Sequence, residues 1–263
     1  MVAVRDAATV IVVRDGDDGA MQVCMLGRNL ESEFTRGAYV FPGGAVDEED
    51  RHADLEPICE GRSDPEASAL LGIESGGLAF WVAAVRECFE EAGLLLAYGE
   101  DGKLVRLEEH DDVETFAAHR RAVDSGERRL AEVCAEEGLR LAVDAIHYFS
   151  HWITPEGQPR RYDTRFFVAR APEAQEALHD EVETIASAWI TPADALARFE
   201  AGDLELMPPT MVTLRQIGRF ERSDDLLAAA AATTDIPVME PRVVKDQGGI
   251  RILLPGDPGF EDA

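Results

Sequence analysis

The sequence contains little cysteine and little positive charge. Its four cysteines, Cys24, Cys59, Cys88 and Cys134, form no C-x-x-C pair and no zinc-type spacing. They are typical of reduced thiols in an intracellular protein, which argues against a disulfide framework and a structural zinc site. Only 25 lysines and arginines stand against 52 aspartates and glutamates, for a formal charge of −27. This excess argues against nucleic acid or an anionic membrane as a direct electrostatic partner.

Long apolar runs are also missing. No apolar stretch approaches the ~20 residues that a membrane-spanning helix needs. The amino terminus lacks the basic segment and apolar run of a secretory signal, and residues 261–263 are not a peroxisomal S-K-L signal. We therefore expect a cytoplasmic protein without a membrane partner. With 46% hydrophobic residues, the 263-residue chain is long enough for a single domain with additions.

The most informative feature is a set of glutamates in a helical pattern at residues 79–92. Glu87, Glu90 and Glu91 lie at positions i, i+3 and i+4, so three carboxylates share one face. Like charges at this spacing destabilise a helix unless a cation offsets them. Mg²⁺ prefers carboxylate oxygens and commonly adds phosphate oxygens of a substrate. The pattern indicates a metal site for phosphate chemistry, with a solvated acidic helix as the alternative.

Neighbouring residues favour the metal site over that alternative. Arg86 stands where its guanidinium can pair with the carboxylates and orient them. Gly93 follows as a candidate left-handed helix cap. Upstream, Gly43 and Gly44 follow Phe41-Pro42 in a predicted turn, where the backbone can approach a ligand closely. We therefore treat these two glycines as candidate substrate-binding residues.

These residues resemble the Nudix hydrolase box, G-x5-E-x7-R-E-U-x-E-E-x-G-U, in which U is a bulky apolar residue. The second half of the box matches at residues 86–94, with Cys88 in the first apolar position. The first half begins at Gly44, and Asp50 stands where the family has glutamate, a position for which we expect a structural role. The seven-residue spacer is replaced by residues 51–85. Either the first half is a coincidence or an insertion splits the box.

An insertion splits the box in one Nudix branch, the peroxisomal coenzyme A diphosphatases, and this chain is similar to that branch elsewhere. The similar segments are residues 41–50, 152–155, 160–167 and 254–257. The resemblance covers roughly residues 5–257 and implies a single domain, 1–263, of mixed α/β class. It implies a Nudix-type α/β/α sandwich with an insertion at residues 51–78 and a carboxyl-terminal extension at residues 221–263.

The resemblance also implies an activity. Water would cleave the diphosphate linkage of coenzyme A or acyl-CoA, giving 3′,5′-ADP and (acyl-)phosphopantetheine. Glu87, Glu90 and Glu91 would hold Mg²⁺ or Mn²⁺, with Glu90 and Arg86 counted among the catalytic residues. NADH, ADP-ribose, nucleotide sugars and capped RNA stay open as substrates, because the box indicates the chemistry and not the leaving group. A nucleotide-binding regulatory module without catalysis is the alternative from another class, and a homodimer is left open.

The general base and the phosphate contacts are assigned outside the box. Glu183 begins a predicted strand at a position where many relatives carry a further metal ligand or base, and Glu181 would share its face in a strand. Arg160 and Arg161 belong to a local basic island that could hold phosphates, including the 3′-phosphate of coenzyme A. Ion pairs on a strand surface are the alternative for these arginines.

The hydrophobic pattern predicts an alternation of short strands and helices. The predicted strands are residues 7–14, 22–26, 39–41, 145–154, 162–169 and 183–190, with a terminal β segment at 238–254. The predicted helices are residues 79–92, 111–136 and 210–220, a possible continuation at 226–232, and one beginning at Thr191-Pro192. One or two short helices are expected in residues 51–78.

Overall fold

The computed structural model of this chain describes residues 2–28, 38–177, 184–246 and 249–260. Within these ranges the strands are β1 (Val4–Asp15), β2 (Met21–Arg28), β3 (Ala38–Val40), β4 (Gly43–Ala45), β5 (Ala97–Tyr98), β6 (Arg140–Leu141), β7 (Ile146–Ile153), β8 (Arg161–Arg170), β9 (Thr184–Ile190), β10 (Glu205–Leu206), β11 (Val238–Met239), β12 (Arg242–Asp246) and β13 (Gly249–Leu253). The α-helices are α1 (Asp64–Leu71), α2 (Leu78–Ala92), α3 (His110–Asp124), α4 (Leu130–Glu137), α5 (Pro192–Ala201), α6 (Pro208–Ile217) and α7 (Ser223–Ala232). None of these helices is both long enough and apolar enough to cross a membrane.

Strand β1 is the centre of a nine-stranded mixed sheet. Its apolar, largely β-branched sequence suits a strand that is buried on both faces. Strand β8 pairs with β1 in parallel, while β2 and β4 pair with it antiparallel. The strand order is β10-β3-β2-β1-β8-β7-β11, with β9 paired to β2. Strands β5–β6 and β12–β13 form two separate two-stranded sheets.

Each face of the large sheet packs against its own helical layer. Because successive strand residues point to opposite faces, Val10 and Val12 join one core while Ile11 and Val13 join the other. The first core includes residues of α1, α2, α3 and α4, and the second includes residues of α5, α6 and α7. The expected mixed α/β class and the α/β/α sandwich are therefore confirmed.

The start of α2 is held by the segment before it. The backbone N–H of Leu78 donates to Asp64 Oδ1 (3.0 Å), and that of Gly77 donates to Ser68 Oγ (2.9 Å). These side chains satisfy N–H groups that a helix start leaves without intrahelical partners. A Cβ at Gly77 would lie 2.5 Å from Ser68 Cα, so the close approach of α1 to α2 requires glycine there.

The segments predicted as additions are part of the packed structure. In residues 51–78, Asp54 pairs with Arg129 (2.9 Å), and the N–H of Glu60 donates to Leu141 O (2.9 Å). These contacts attach the segment to the residue that caps the start of α4 and to β6. In residues 221–263, helix α7 contributes to the second core, and β11 lengthens the large sheet beside β7.

Two local predictions were wrong. The turn expected at Gly43 and Gly44 is a bend followed by strand β4, which pairs with the first half of β1. Strand β2 pairs only with the second half of β1, at residues 13–15, so the edge beside residues 7–9 is available to β4. The helix expected at 111–136 is divided into α3 and α4, with Gly126 at a φ of 69° between them.

Candidate active site

The side chain of Arg86 is the centre of the site. Its Nε and Nη2 atoms donate to the two carboxylate oxygens of Asp50, both at 2.9 Å. Its Nη1 donates to Glu87 Oε1 and to Glu90 Oε2, each at 2.9 Å, and Nη2 also donates to Ala45 O (2.8 Å). All five guanidinium N–H donors are therefore engaged. Arg86 fixes two of the box glutamates relative to β4 and to the short 3₁₀ helix Glu49–Arg51.

Burial and crowding change the acidity of these carboxyl groups. Burial raises the pKa of Glu87 and of Glu90 to about 7, and Arg86 offsets the effect only in part. Repulsion from Asp50 and Asp47 adds to the shift of Glu87, and repulsion from Glu87 and Asp124 adds to that of Glu90. For Arg86, burial by itself would lower the pKa, but Asp50 and Glu87 raise the pKa above its ordinary value. The guanidinium is therefore permanently charged, while the two glutamates titrate near neutral pH.

Glu91 is held separately, on the side of the glycines. Its Oε2 accepts a hydrogen bond from the backbone N–H of Gly43 (2.9 Å), and the residue is 6% exposed. A Cβ at Gly44 would lie 2.6 Å from Cδ of Glu87. Gly44 therefore lets β4 lie directly against Glu87, and the backbone of Gly43 binds Glu91. Both glycines make these contacts from a strand and not from a turn.

The donor set fits a divalent cation. Arg86 brings one positive charge to Asp50, Glu87 and Glu90, and the exposed Asp47 lies 3.6 Å from its Nη2. Glu91 adds a further carboxylate beside β4. A buried excess of carboxylate charge is costly without a cation, and hard oxygen ligands are those that Mg²⁺ and Mn²⁺ take. Arg86 thus holds Glu87 and Glu90 together, while Glu91 is held on the side of β4. Their ligand atoms are not among those that lie within 4.8 Å of one another in the described residues, so the binding of one cation by all three stays a prediction.

The other predicted residues lie away from this cluster or outside the described ranges. Arg161 donates to Thr154 O (2.9 Å) and to Glu240 Oε1 (2.6 Å), which belong to the residue after β7 and the residue after β11. Arg160 is exposed just before β8. Glu181 and Glu183 lie outside the described residues, and their assignment as general base stays a prediction.

A second group of metal-type side chains lies between α3 and α4. His119, Glu136 and Glu137 place ligand atoms within 4.8 Å of one another. However, Arg128 donates to His119 Nδ1 (3.1 Å) and to Glu136 (2.6 Å), which requires His119 Nε2 to carry the proton shared with Glu137 (2.9 Å). A guanidinium already supplies the cation here. The group is an ion-pair network that fastens α4 to α3.

Sequence reasoning gave no role to Arg120, which contacts the end of α2. Its Nε donates to Glu90 O (2.8 Å) and its Nη2 to Glu91 O (3.1 Å). Arg120 is separated from the box by the whole β5 region, so no spacing rule could have connected it to the glutamates. Only the packing of α3 against α2 brings it there.

Comparison with known proteins agrees with the fold and the box. Residues 64–217 match the family profile of the NUDT19 Nudix domain. The human acyl-coenzyme A diphosphatase NUDT19 is 28% identical over 270 residues, which cover 90% of this chain and 71% of the human protein. The chicken (Gallus gallus) protein of the same name is 28% identical over 274 residues, covering 90% of this chain and 72% of that protein.

A solved structure has the same fold. The crystal structure of a Nudix hydrolase from Alicyclobacillus acidocaldarius superposes with a TM-score of 0.72 at 25% identity. The superposition covers 90% of this chain and 99% of the bacterial chain. The profile match extends over more than half of the sequence and includes the second half of the box and the whole of α2. This chain therefore belongs to the Nudix hydrolases, in the family defined by the NUDT19 Nudix domain.

Proposed function

We propose that this enzyme hydrolyses the diphosphate linkage of coenzyme A or acyl-CoA in a reaction that requires Mg²⁺ or Mn²⁺. The observation that carries the proposal is the carboxylate cluster around Arg86, in a chain whose family is defined by the NUDT19 Nudix domain. The names of the human and chicken relatives support the choice of substrate. The profile match and the cluster support diphosphate chemistry independently of that choice.

The chemistry requires positive charge at the site. A diphosphate resists hydrolysis because its anionic oxygens repel a nucleophile, and a chain with a formal charge of −27 would add to that repulsion. A divalent cation bound at this site would neutralise those oxygens and lower the pKa of a bound water. In this proposal Glu87, Glu90 and Glu91 are the ligands, and Arg86 keeps two of them oriented without taking part in proton transfer.

The reaction consumes one water molecule. The water oxygen forms a bond to one phosphorus, the bridging P–O bond breaks, and the bridging oxygen leaves with the other phosphoryl group. With coenzyme A the products are 3′,5′-ADP and phosphopantetheine. A carboxylate must accept a proton from the attacking water, and we assign this role to Glu183, with Glu181 as the alternative.

The remaining residues either shape the site or bind the substrate. The backbone N–H of Gly43 binds Glu91, and the absence of a side chain at Gly44 leaves room for the carboxyl group of Glu87. Arg160 is exposed and suits a contact with a phosphate of the substrate. Arg161 is proposed with it as part of the same basic island, although Glu240 already pairs with it.

Mass-resolved chromatography tests the proposal. The purified protein is incubated with coenzyme A, acyl-CoA, NADH or ADP-ribose, with Mg²⁺, with Mn²⁺ or with EDTA. We expect 3′,5′-ADP from coenzyme A or acyl-CoA, only when metal is present. Glu90→Gln should abolish the product, whereas Glu114→Gln, the same change at an exposed position of α3, should not.

The outcomes separate the parts of the proposal. Metal-dependent cleavage of NADH or ADP-ribose but not of coenzyme A would retain the chemistry and replace the substrate. Cleavage that persists in Glu90→Gln would overturn the assignment of the metal ligands. Cleavage of none of the substrates with either metal would overturn the enzymatic proposal and favour a nucleotide-binding module.

A further inference from the structure

The last turn of α2 carries two of the three proposed metal ligands and therefore needs its own support. The final carbonyl groups of a helix have no intrahelical N–H partners. At the end of α2, the N–H of Gly93 donates to Phe89 O (3.0 Å), and the N–H of Leu94 donates to Cys88 O (3.3 Å). This left-handed cap at Gly93 satisfies two carbonyls. The carbonyls of the next two residues, Glu90 and Glu91, need a partner from elsewhere.

Arg120 of α3 supplies that partner. Its guanidinium donates from Nε to Glu90 O at 2.8 Å and from Nη2 to Glu91 O at 3.1 Å. Bonds from a cationic donor are stronger than neutral ones, and a positive charge is favourable at a helix carboxyl terminus. One planar side chain thus joins two consecutive carbonyls and fixes the backbone of Glu90 relative to that of Glu91.

We infer that Arg120 is a positioning residue for the metal site, acting through the backbone of Glu90 and Glu91 and not through contact with substrate or metal. This inference rests on the proposed function, because it concerns the metal affinity of the same glutamates. Arg86 orients the carboxylate of Glu90, and Gly43 orients that of Glu91. Arg120 keeps the turn that carries both from fraying, so that the backbone of these two ligands is fixed before a cation binds.

Whether removal of Arg120 weakens or strengthens the binding of a divalent cation separates this role from a purely electrostatic one. Arg120 adds a positive charge close to a cation site. If that charge were its only effect, removing it would strengthen the binding of a divalent cation. If Arg120 positions the ligands, removing it will weaken that binding, as the loss of residues that orient metal ligands commonly does by about 10- to 100-fold.

The experiment titrates Mn²⁺ into wild type, Arg120→Met, Arg120→Lys and Arg121→Met, with free Mn²⁺ followed by electron paramagnetic resonance. Arg121 is the matched control, because it is the next residue of α3, carries the same charge and is exposed. We expect Arg120→Met to weaken Mn²⁺ binding by about tenfold or more. Arg120→Lys keeps the charge but lacks the planar group that donates to both carbonyls. Its affinity for Mn²⁺ should therefore lie between those of wild type and Arg120→Met. Arg121→Met should bind as wild type does.

Hydrogen exchange of the metal-free protein provides a readout that does not depend on metal. Peptides covering residues 90–94 should exchange faster in Arg120→Met than in wild type or Arg121→Met. Unchanged or tighter Mn²⁺ binding in Arg120→Met would overturn the inference, as would unchanged exchange in residues 90–94. If Arg120→Met does not fold, wild-type affinity and exchange in Arg120→Lys would overturn it. Absence of Mn²⁺ binding in wild type would instead overturn the proposed function.

Discussion

Asp50 and Arg86 lie 36 residues apart in the sequence and meet through two parallel hydrogen bonds of 2.9 Å. Both side chains are buried, with Asp50 at 2% and Arg86 at 10% side-chain exposure. Asp50 stands at the glutamate position in the first half of the box, and Arg86 belongs to the second half. Their pairing therefore joins the two halves although residues 51–85 separate them in the sequence. Asp50 therefore has a structural part in the site, and it fixes the guanidinium that in turn holds Glu87 and Glu90.

Replacing Asp50 by Asn should destabilise the protein. Loss of one partner of a buried ion pair costs about 3–5 kcal/mol, and we expect about 3 kcal/mol because Arg86 keeps two other carboxylates. Urea unfolding in EDTA measures the change. The control is Asp47→Asn, at a carboxylate 3.6 Å from the same guanidinium but 63% exposed, which should cost less than about 0.5 kcal/mol. Equal losses in the two variants would contradict the structural part assigned to Asp50.

The two glycines of β4 should respond differently to alanine. At Gly44 the new Cβ would meet the carboxyl group of Glu87, which is the movable end of a side chain. We expect Gly44→Ala to fold normally and to bind Mn²⁺ about tenfold or more weakly, because a ligand is displaced. At Gly43 the new Cβ would lie 2.5 Å from Ala8 O, a backbone atom of β1.

Gly43→Ala should therefore lose stability, by about 1–3 kcal/mol, as overpacked positions do. Thermal unfolding in EDTA and Mn²⁺ titration, carried out on both variants, separate the two effects. A stable Gly43→Ala protein would mean that β4 does not lie against β1 as described. A Gly44→Ala protein with wild-type affinity for Mn²⁺ would mean that β4 does not lie against α2 as described.

The parts of the fold that the sequence predicted correctly depend on local information. The strands at residues 7–14 and 22–26 and the helix cap at Thr191, whose Oγ1 accepts from the N–H of Asp194 (3.1 Å), follow from residues close in the chain. The helical spacing likewise places Glu87 and Glu90 on one face, where Arg86 holds both.

The parts that were missed depend on packing. Glycine has a low strand propensity, so nothing local indicates that Gly43 and Gly44 pair with β1. The apolar stripe of α3 and α4 continues at helical spacing past Gly126, which hid the break between the helices. Arg120 stands in no motif, and its contact with Glu90 exists only because α3 packs against α2.

Mn²⁺ affinity should depend on pH near neutrality. The pKa values of Glu87 and Glu90 are raised to about 7 in the metal-free protein, so protons compete with the cation below that pH. For each glutamate that must lose its proton, we expect the dissociation constant for Mn²⁺ to increase by about tenfold for every unit by which the pH falls below 7. Isothermal titration calorimetry between pH 5.5 and 8, in buffers of different ionisation enthalpy, measures both affinity and proton release. Affinity that is constant over this range would contradict the prediction.

The same shifts should change the stability of the metal-free protein. A carboxyl group whose pKa rises from 4.5 to about 7 on folding stabilises the folded state below pH 4.5, and this contribution is lost as the pH rises towards 7. Mn²⁺ should therefore raise the unfolding temperature more at pH 7.5 than at pH 5.5.

In EDTA, the stability of Glu90→Gln relative to wild type should increase over the same interval, because the variant lacks one of the titrating groups. A relative stability that does not change with pH would contradict the assignment of the raised pKa to Glu90.

The basic island at the start of β8 should divide into a substrate contact and a structural contact. The side chain of Arg161 is 11% exposed, paired with Glu240 at 2.6 Å and bonded to Thr154 O. Arg160 also has an interaction partner, but it is an exposed residue that a substrate can reach. If Arg160 binds the 3′-phosphate of coenzyme A, Arg160→Met should raise KM for coenzyme A by about tenfold or more with little change in kcat, as loss of a charged hydrogen bond of about 1.5–3 kcal/mol implies. Arg161→Met should lower the unfolding temperature instead.

Dephospho-coenzyme A, which lacks the 3′-phosphate, is the matched substrate for this test. The effect of Arg160→Met should disappear with that substrate, because the two changes remove partners of one interaction and are therefore not additive. An equal rise in KM for both substrates would place Arg160 elsewhere on the substrate. An unchanged KM for coenzyme A would remove Arg160 from the binding site, and the island would then be an ion-paired strand surface.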